Sequence, residues 1–455
     1  MEAPAALPEL LADALQRATR YLQGLRTRKV APDPSAVAAL IGLEGPLPAG
    51  SPPAATLALL DEIVSPATMA MAGPRFFGFV IGGALPAALA ANWLAAAWDQ
   101  NTGYYNITPG TARLEQIALR WLVELFGLPA GPTGGFVTGA TVANFTALAA
   151  ARHVVLERAG WNVEAEGLFG APPIHVLVGE EAHPTLLKSL GLLGFGRSRL
   201  TRVPVDGQGR MRADALPALS GPTILCLQAG NVNTGASDPL EPLIERARRA
   251  QAWVHVDGAF GLWAAASPRL RAQVSAVEQA DSWATDAHKW LNVPYDSGLA
   301  LVRDPHALAA AMAITADYLP SETPERNPSD YTPELSRRAR GVEVWAALHS
   351  LGRAGVAAMI ERHCRQAQRF AQRLAAAGYR VLNEVVLNQV LVAFGDAART
   401  RRVVAAVQAD GTCWCGITVW QGHTAMRISV INWSTQEEDV ERSIDAILAA
   451  AARTG

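Results

Sequence analysis

Lys289 is the residue of this sequence best suited to covalent chemistry. It lies in the segment DAHKW, directly after the mostly apolar run ADSWAT, although lysine is normally a solvated surface residue. A lysine amine that is partly shielded from water is more often neutral, and it can then form imines with carbonyl groups. A purely structural position for this lysine is the alternative when the residue is taken alone.

Asp257 ends a predicted strand in the segment HVDGAF. Alternation with a period of two places His255 and Asp257 on the same face of this strand. A buried carboxylate is costly unless a cation pairs with it, and a protonated pyridine nitrogen is such a cation. Ala259 is small enough to let a flat ring lie against the backbone. An aspartate that caps a loop is the alternative interpretation.

A glycine turn from Thr138 to Thr141 has the composition of a phosphate site, because it joins a predicted strand to a predicted helix. Glycine permits a close approach of the backbone, the helix N-terminus presents free N–H groups, and Thr141 adds a hydroxyl. His288, beside the lysine, can donate to the same phosphate. A capped strand–helix turn has the same composition, so the turn alone leaves both interpretations open.

His183 follows a predicted strand in the segment GEEAH. A neutral imidazole at this place can stack on a conjugated ring or donate to a substrate carboxylate, whereas an ordinary loop histidine is the alternative. The order of the four features is more specific than any one of them. A phosphate turn is followed by His183, then by the acidic strand end at Asp257, and then by Lys289.

These residues fall at predicted strand ends or in the loops after them, where ligands bind in open α/β sheets. Short apolar runs alternate with helical segments, which predicts an α/β fold with a mainly parallel sheet. The predicted strands before Arg340 are GGFV, IHVLVG, TILCLQAG, AWVHVDGA and SGLALVRD, and those beyond it are VVLNQVLVAF and MRISVIN. Helices are predicted over Pro8–Leu25, from near Pro86, over Leu114–Phe126, over Val142–Arg158, and three times beyond Arg340.

The composition excludes several classes of partner. The 39 Lys and Arg nearly balance the 41 Asp and Glu, so we expect neither nucleic acid nor an anionic membrane surface as a partner. The four cysteines lack two ligand pairs at zinc spacing, so we predict reduced thiols and no metal site. The charge-free stretch Gly78–Trp98 contains Gly, Pro and Asn, and we interpret it as a buried or interface helix. A cytoplasmic protein is expected.

The order of these motifs, with HVDGAF and DAHKW, resembles that of the group II pyridoxal 5′-phosphate (PLP) decarboxylases. These are the family of aromatic-L-amino-acid and glutamate decarboxylases, within the fold type I enzymes. The resemblance extends from GPRFFGF, which begins at Gly73, to MRIS, which begins at Met426. It implies PLP, a homodimer, and a seven-stranded sheet with helices on both faces. The expected parts are an N-terminal helical arm (1–70), a large PLP-binding domain (71–340) and a small α+β domain (341–455).

The resemblance also implies a role for each site residue. Lys289 is expected to be the Schiff-base lysine, Asp257 the partner of the ring nitrogen, and His183 the residue stacked on the ring. Tyr318, in the segment DYLP, is expected to protonate the α-carbon after CO2 leaves. The further cofactor contacts that the resemblance implies are Ala140, Thr141, Asn233, Ala259, Asp286 and His288.

The implied reaction is decarboxylation of an L-amino acid to the amine and CO2, with an aromatic or bulky side chain favoured. Aldehyde-forming oxidative decarboxylation, retro-aldol cleavage and a non-catalytic PLP-fold binding protein are the alternatives. Aldehyde-forming relatives replace the loop tyrosine by Phe, so Tyr318 favours plain decarboxylation. The sequence has GPRFF and HVDGA where the family usually has HP and HVDAA, and both departures lie near the ring or the substrate. It has GNVN where the family has the GTT segment that contacts the phenolic oxygen of the cofactor, so Asn233 is the candidate for that contact. Arg75 is the one cation considered for an acidic substrate.

Overall fold

The computed structural model describes residues 7–131, 133–314 and 325–454. The chain divides into two compact units. One unit consists of Met1–Gly83, Arg369–Val381 and Val392–Gly455, and the other consists of Ala84–Gln368 and Leu382–Leu391. The domain boundaries that the sequence suggests at residues 70 and 340 stay a prediction.

The helices and strands alternate through the middle of the chain, as the sequence predicts. The helices are α1 (Leu7–Gly24), α2 (Pro34–Ala39), α3 (Pro53–Leu59), α4 (Ser65–Ala67), α5 (Pro86–Trp98), α6 (Pro109–Phe126), α7 (Ala140–Glu157), α8 (Val163–Glu166), α9 (Pro184–Leu192), α10 (Leu240–Arg249), α11 (Pro305–Met312), α12 (Gly341–Ala376), α13 (Ala397–Asp410) and α14 (Glu437–Arg453). The strands are β1 (Phe76–Phe77), β2 (Thr133–Val137), β3 (His175–Gly179), β4 (Thr201–Val203), β5 (Thr223–Gln228), β6 (Trp253–Asp257), β7 (Ser282–Asp286), β8 (Gly298–Val302), β9 (Arg380–Val381), β10 (Gln389–Ala393), β11 (Trp414–Trp420) and β12 (His423–Ser429).

The larger unit contains a seven-stranded sheet with the strand order β2-β8-β7-β6-β5-β3-β4. The strands from β7 to β4 pair in parallel, whereas β8 is antiparallel to both β7 and β2. The predicted mainly parallel, seven-stranded α/β fold is therefore confirmed. Because β8 is antiparallel to β7, a loop joins these two strands where a parallel pair would need a longer crossover.

The centre of this sheet is covered on both faces, since every residue of β6, β7 and β8 is buried. Helix α7 packs against these three strands. Alanine recurs along α7, which lets its axis lie close to the sheet. Asn144 and Thr146 are buried polar residues on this mainly apolar helix.

The smaller unit contains α1, α13, α14 and most of a five-stranded sheet of order β1-β11-β12-β10-β9. In this sheet β1 and β11 are parallel, whereas β11 and β12 are antiparallel. One face of α1 exposes leucines at positions 7, 11, 15 and 22, with 57, 57, 53 and 42% of each residue accessible. A soluble helix rarely leaves such a stripe uncovered.

These elements test several of the predictions made from the sequence. Helix α5 begins at Pro86, as predicted, and α6 begins at Pro109, before the predicted start at Leu114, because a proline is favoured in the first turn. The four cysteines are free and buried. Within the described ranges no helix is long and apolar enough to cross a membrane, and the cytoplasmic location stays a prediction.

Candidate active site

Lys289 lies in the loop between β7 and β8. The last residue of β7, Asp286, pairs with the first residue of β8, Gly298, so the two ends of this loop are held together. Lys289 Nζ lies 2.9 Å from Asp286 Oδ2, and the lysine side chain is 21% exposed while the aspartate side chain is fully buried. The lysine amine is therefore partly desolvated and has a buried carboxylate beside it.

Asp257 ends β6, next to the strand that leads to the lysine. It is buried, and its Oδ1 has no hydrogen-bond partner among the described residues. Burial raises the pKa of Asp257 to about 6, while the charge of Lys289 and the amide of Asn144 act to lower it and the charge of Asp286 acts to raise it. A buried carboxylate oxygen without a partner is costly, so this atom suits a ligand that brings its own N–H or cation.

The predicted phosphate turn lies against the lysine loop. Helix α7 begins at Ala140, so Ala140 and Thr141 provide N–H groups that have no partner within the helix. A Cβ at position 298 would overlap the backbone of Gly139. Because only glycine fits there, the start of β8 can touch the turn and bring it close to the loop that contains Lys289.

His288 belongs to the same place. A Cβ built on Gly139 would lie 3.3 Å from His288 Cε1, so the imidazole adjoins the phosphate turn. The backbone N–H of Ser297 donates to His288 Nδ1 at 3.1 Å, and burial lowers the pKa of His288. The neutral ring therefore carries its proton on Nε2 and is a hydrogen-bond donor there. The ring of Tyr295 stacks on His288 with centroids 4.2 Å apart.

His183 precedes α9 and caps it. Its Nδ1 lies 2.6 Å from Thr185 Oγ1 and accepts a hydrogen bond from the Thr185 backbone N–H at 3.3 Å. In a neutral ring the proton is then on Nε2, which is the arrangement that a donor to a carboxylate requires. The Ser189 hydroxyl of α9 donates to the carbonyl oxygen of Thr141 at 2.7 Å, so α9 is attached to the phosphate turn.

The other predicted site residues, Ala259, Asn233 and Tyr318, lie in three different segments of the chain. Ala259 follows β6, and its backbone N–H lowers the pKa of Asp257. Asn233 donates its backbone N–H to Asn231 Oδ1 at 2.8 Å within the loop after β5. Tyr318 lies outside the described residues. The geometry therefore brings the lysine, both aspartates, Ala259, His288 and the phosphate turn together, and His183 joins the turn through its helix.

Two side chains near the site were missed by the sequence analysis. Asn144 lies in the second turn of α7 and interacts with Asp257, and the buried Asn231 donates to Glu181 Oε2 at 3.1 Å. The signal for Asn144 was a single amide in an alanine-rich helix, and Asn231 lies in the GNVN segment that departs from the family pattern. Both are polar residues at buried positions, which usually indicates a specific partner.

Arg75 does not act as the cation that was considered for an acidic substrate. Its guanidinium is buried and donates to the carbonyl oxygens of Thr412, Arg26 and Arg28 at 2.6, 2.7 and 3.3 Å. All of these are structural hydrogen bonds within the smaller unit. The suggestion is wrong because the backbone around Arg75 already uses its donors.

The polar groups of the site fit a flat, phosphate-bearing ring with a protonated nitrogen. A helix N-terminus and His288 offer donors for a phosphate, Asp257 offers a buried carboxylate oxygen, and Lys289 offers an amine. Comparison with known proteins decides which group this is. The profile of the "Pyridoxal-dependent decarboxylase conserved domain" matches residues 57–395. The chain belongs to this family.

Most of the similar proteins are amino-acid decarboxylases, and two of them are phenylacetaldehyde synthases. Tryptophan decarboxylase 1 of Oryza sativa subsp. japonica is 28% identical over 428 residues, which cover 85% of this chain and 82% of the relative. L-2,4-diaminobutyrate decarboxylase of Rhizobium meliloti is 30% identical over 381 residues, covering 79% and 74%. The protein is thus a PLP-dependent amino-acid decarboxylase.

A solved structure agrees on the fold. The crystal structure of Oryza sativa TDC with PLP and tryptamine superposes with a TM-score of 0.91 at 22% identity, over 99% of this chain and 98% of the other. At this identity the likeness supports the fold type and not the choice of substrate.

Proposed function

We propose that this enzyme decarboxylates an amino acid with an aromatic or bulky side chain, at the site formed by Lys289, Asp257, His183, His288 and the turn before α7. The observation that carries the site assignment is the ion pair of the partly desolvated Lys289 with Asp286, beside a buried Asp257. The substrate class is supported by the likeness to the rice tryptophan decarboxylase. It is also supported by Arg75, whose donors are already used by backbone carbonyls.

PLP, when bound, supplies a conjugated ring that accepts the electron pair left behind as CO2 departs. The carboxylate of Asp257 would hold the proton on the ring nitrogen, which keeps the ring a strong electron acceptor. Ala140, Thr141 and His288 would bind the phosphate through N–H and O–H donors, and Ala259 would leave room for the ring against the backbone. These contacts fix the ring at two ends.

Lys289 would attach the cofactor and later recover it. Its Nζ would act as the nucleophile toward a carbonyl carbon, and Asp286 Oδ2, 2.9 Å away, would hold the amine in place.

His183 would orient the substrate. Its Nδ1 accepts from Thr185, so in a neutral ring the proton is on Nε2, and this N–H would donate to the substrate carboxylate. A carboxylate held in a fixed direction, perpendicular to the ring, is required if the bond to be broken is to overlap with the conjugated system. Tyr318 is proposed as the acid that protonates the α-carbon, on the basis of the family resemblance.

A panel of amino acids tests the proposed reaction. We expect the highest kcat/KM with tryptophan, tyrosine, phenylalanine or another bulky substrate, and equal amounts of amine and CO2. Products are measured by chromatography and CO2 release, with peroxide and glycine assayed in parallel. Peroxide with an aldehyde, or glycine, as the main product would favour the oxidative or retro-aldol alternative. Higher activity with small acidic or diamino substrates would contradict the substrate class.

We also propose that the enzyme is a homodimer in which the leucine face of α1 is covered by the partner subunit. The exposed side chains of Leu11 and Leu15 lie one turn apart on this face, and an apolar stripe of this kind is typical of a protein interface. A second copy of the chain is the occupant that the family resemblance implies.

The double variant Leu11→Glu/Leu15→Glu tests the dimer. Two carboxylates on the stripe should shift the sedimentation profile from dimer toward monomer, because burying them unpaired is costly. Gln16→Glu, which adds a charge at an exposed position on another side of α1, should leave the profile unchanged. A wild-type protein that sediments as a monomer, or a double variant that stays dimeric, would refute this interface.

A further inference from the structure

Behind Asp257, four buried side chains form a continuous polar chain that reaches into the core. Trp253 Nε1 donates to Ser282 Oγ at 2.9 Å, and Ser282 Oγ lies 2.9 Å from His255 Nδ1. His255 Nε2 lies 2.8 Å from Asn144 Oδ1. All four residues are at most 3% exposed, so the chain runs through the core from β6 and β7 to α7 without contact with solvent.

The hydrogen bonds of this polar chain all run in one direction, from Trp253 toward Asn144. An indole N–H can only donate, so Ser282 accepts from Trp253 and its own hydroxyl is available to donate to His255 Nδ1. Burial lowers the pKa of His255 to about 3, so the ring is neutral and has a single N–H. That proton is then on Nε2 and is donated to Asn144 Oδ1. The orientation of the Asn144 amide is fixed by this bond.

The last link reaches Asp257. With Oδ1 held by His255, the Asn144 amide turns its Nδ2 toward the Asp257 carboxyl, and this interaction lowers the pKa of the carboxyl. Asn144 Nδ2 and Asp257 Oδ1 are both buried, and neither makes a hydrogen bond to any other group among the described residues.

We propose that Asn144, held by His255, Ser282 and Trp253, is a positioning residue for Asp257. Its N–H is presented to the carboxyl, keeps the carboxyl ionised, and aims it at the ring nitrogen of PLP. This inference rests on the proposed role of Asp257. Asn144 lies one turn after Ala140 on α7, so the same helix binds the phosphate and orients the carboxylate, which fixes the distance between the two ends of the cofactor.

A purely structural role is a poor explanation of this chain. Buried polar groups lose hydration that their hydrogen bonds only partly restore, and apolar side chains of the same volume would pack as well. The chain ends at the single unpaired oxygen of Asp257. Hydrogen bonds that all run in one direction fix the Asn144 amide, and this suits a carboxyl at Asp257 that needs a defined charge and orientation.

Two variants of Asn144 test the proposal in the reconstituted enzyme. Asn144→Leu removes the amide at similar volume, and we expect the Kd for PLP to rise about tenfold, since a hydrogen bond to a charged group is lost. Asn144→Asp keeps an acceptor for His255 but places a second carboxyl against Asp257, so a rise of roughly 100-fold is expected. Thr146→Val, a buried polar change on the same helix, is the matched control and should bind PLP like the wild type.

The protonation of the ring nitrogen is the readout that a structural role would not change. With ¹⁵N-labelled PLP, the wild type and Thr146→Val should keep a protonated ring nitrogen across the pH range of stability. In the Asn144 variants, this nitrogen should lose its proton at a lower pH. Thermal unfolding of the cofactor-free proteins checks that each variant folds, and Asn144→Asp serves if Asn144→Leu does not.

Asp257→Asn, measured in parallel, tests the role of Asp257 separately from the role of Asn144. If it binds PLP and protonates the ring like the wild type, the proposed role of Asp257 fails and this inference fails with it. If it weakens binding and deprotonates the ring while the folded Asn144 variants match the wild type, the inference about Asn144 alone is overturned.

Discussion

Lys289→Ala is expected to lower kcat at least about 10⁴-fold, the scale that follows loss of a residue that forms a covalent bond in catalysis. The variant should also lose the visible absorption band of the attached cofactor, although it should still bind PLP without a covalent bond. The physical reason is the setting of this amine. The chain has only three lysines, and Lys29 and Lys188 are exposed while Lys289 is partly buried beside Asp286.

Lys188→Ala provides the control for this prediction, since it removes an exposed lysine from α9. It should keep the absorption band and at least about half of the activity, because exposed side chains away from special features contribute little. Reduction of the wild-type holoenzyme with borohydride, followed by peptide mapping, should find the cofactor on Lys289. A modified Lys188, or a Lys289→Ala variant with normal turnover, would contradict the assignment.

Asp257→Asn has the second largest expected effect. It removes the negative charge opposite the ring nitrogen while it preserves the size of the side chain, and we expect kcat/KM to fall roughly 10²- to 10³-fold, as when one electrostatic contact to the reacting group is removed. Steady-state kinetics with the best substrate of the panel measure this loss. Asp281→Asn is the control, because Asp281 lies before β7, at the opposite end of this strand from Asp286.

The pH dependence of cofactor binding gives a second measurement on Asp257. Burial raises the pKa of this carboxyl to about 6, so in the cofactor-free protein it takes up a proton as the pH falls through that value. A protonated carboxyl cannot pair with a protonated ring nitrogen, and the wild-type affinity for PLP should therefore decrease below about pH 6. In Asp257→Asn this part of the dependence should vanish. An unchanged dependence would show that another group titrates.

The sequence predicts those features of this enzyme that follow from the local pattern of apolar and polar residues. The strands around His175–Gly179, Thr223–Gln228 and Trp253–Asp257 are runs of apolar and β-branched residues, and these predict buried parallel strands with site residues at their ends. The lysine and aspartate were identified through the order of motifs. The structure adds that Asp286 touches the lysine, and that the phosphate turn lies against the start of β8.

Other features depend on tertiary packing and could not be read from pattern. The strand Ser282–Asp286 contains Ser, Ala and Asp, which have low strand propensity, and it forms because its neighbours bury it completely. The long helix α12 was predicted as two helices, and Gly352, with φ +60°, interrupts it. The role of Asn144 could not be predicted either, because one amide in a helix indicates no function until its neighbours His255 and Asp257 are known.

The contact of Gly298 with Gly139 affects how the enzyme acquires its cofactor during synthesis. In the sheet, β2 is the terminal strand and β8 is its sole neighbour, although β2 is the first of the seven strands to be made and β8 is the last. Contacts between distant parts of a chain form late in folding. The proposed phosphate turn therefore leaves the ribosome long before the strand that holds it in place, so we expect PLP to bind only after this part of the sheet has formed.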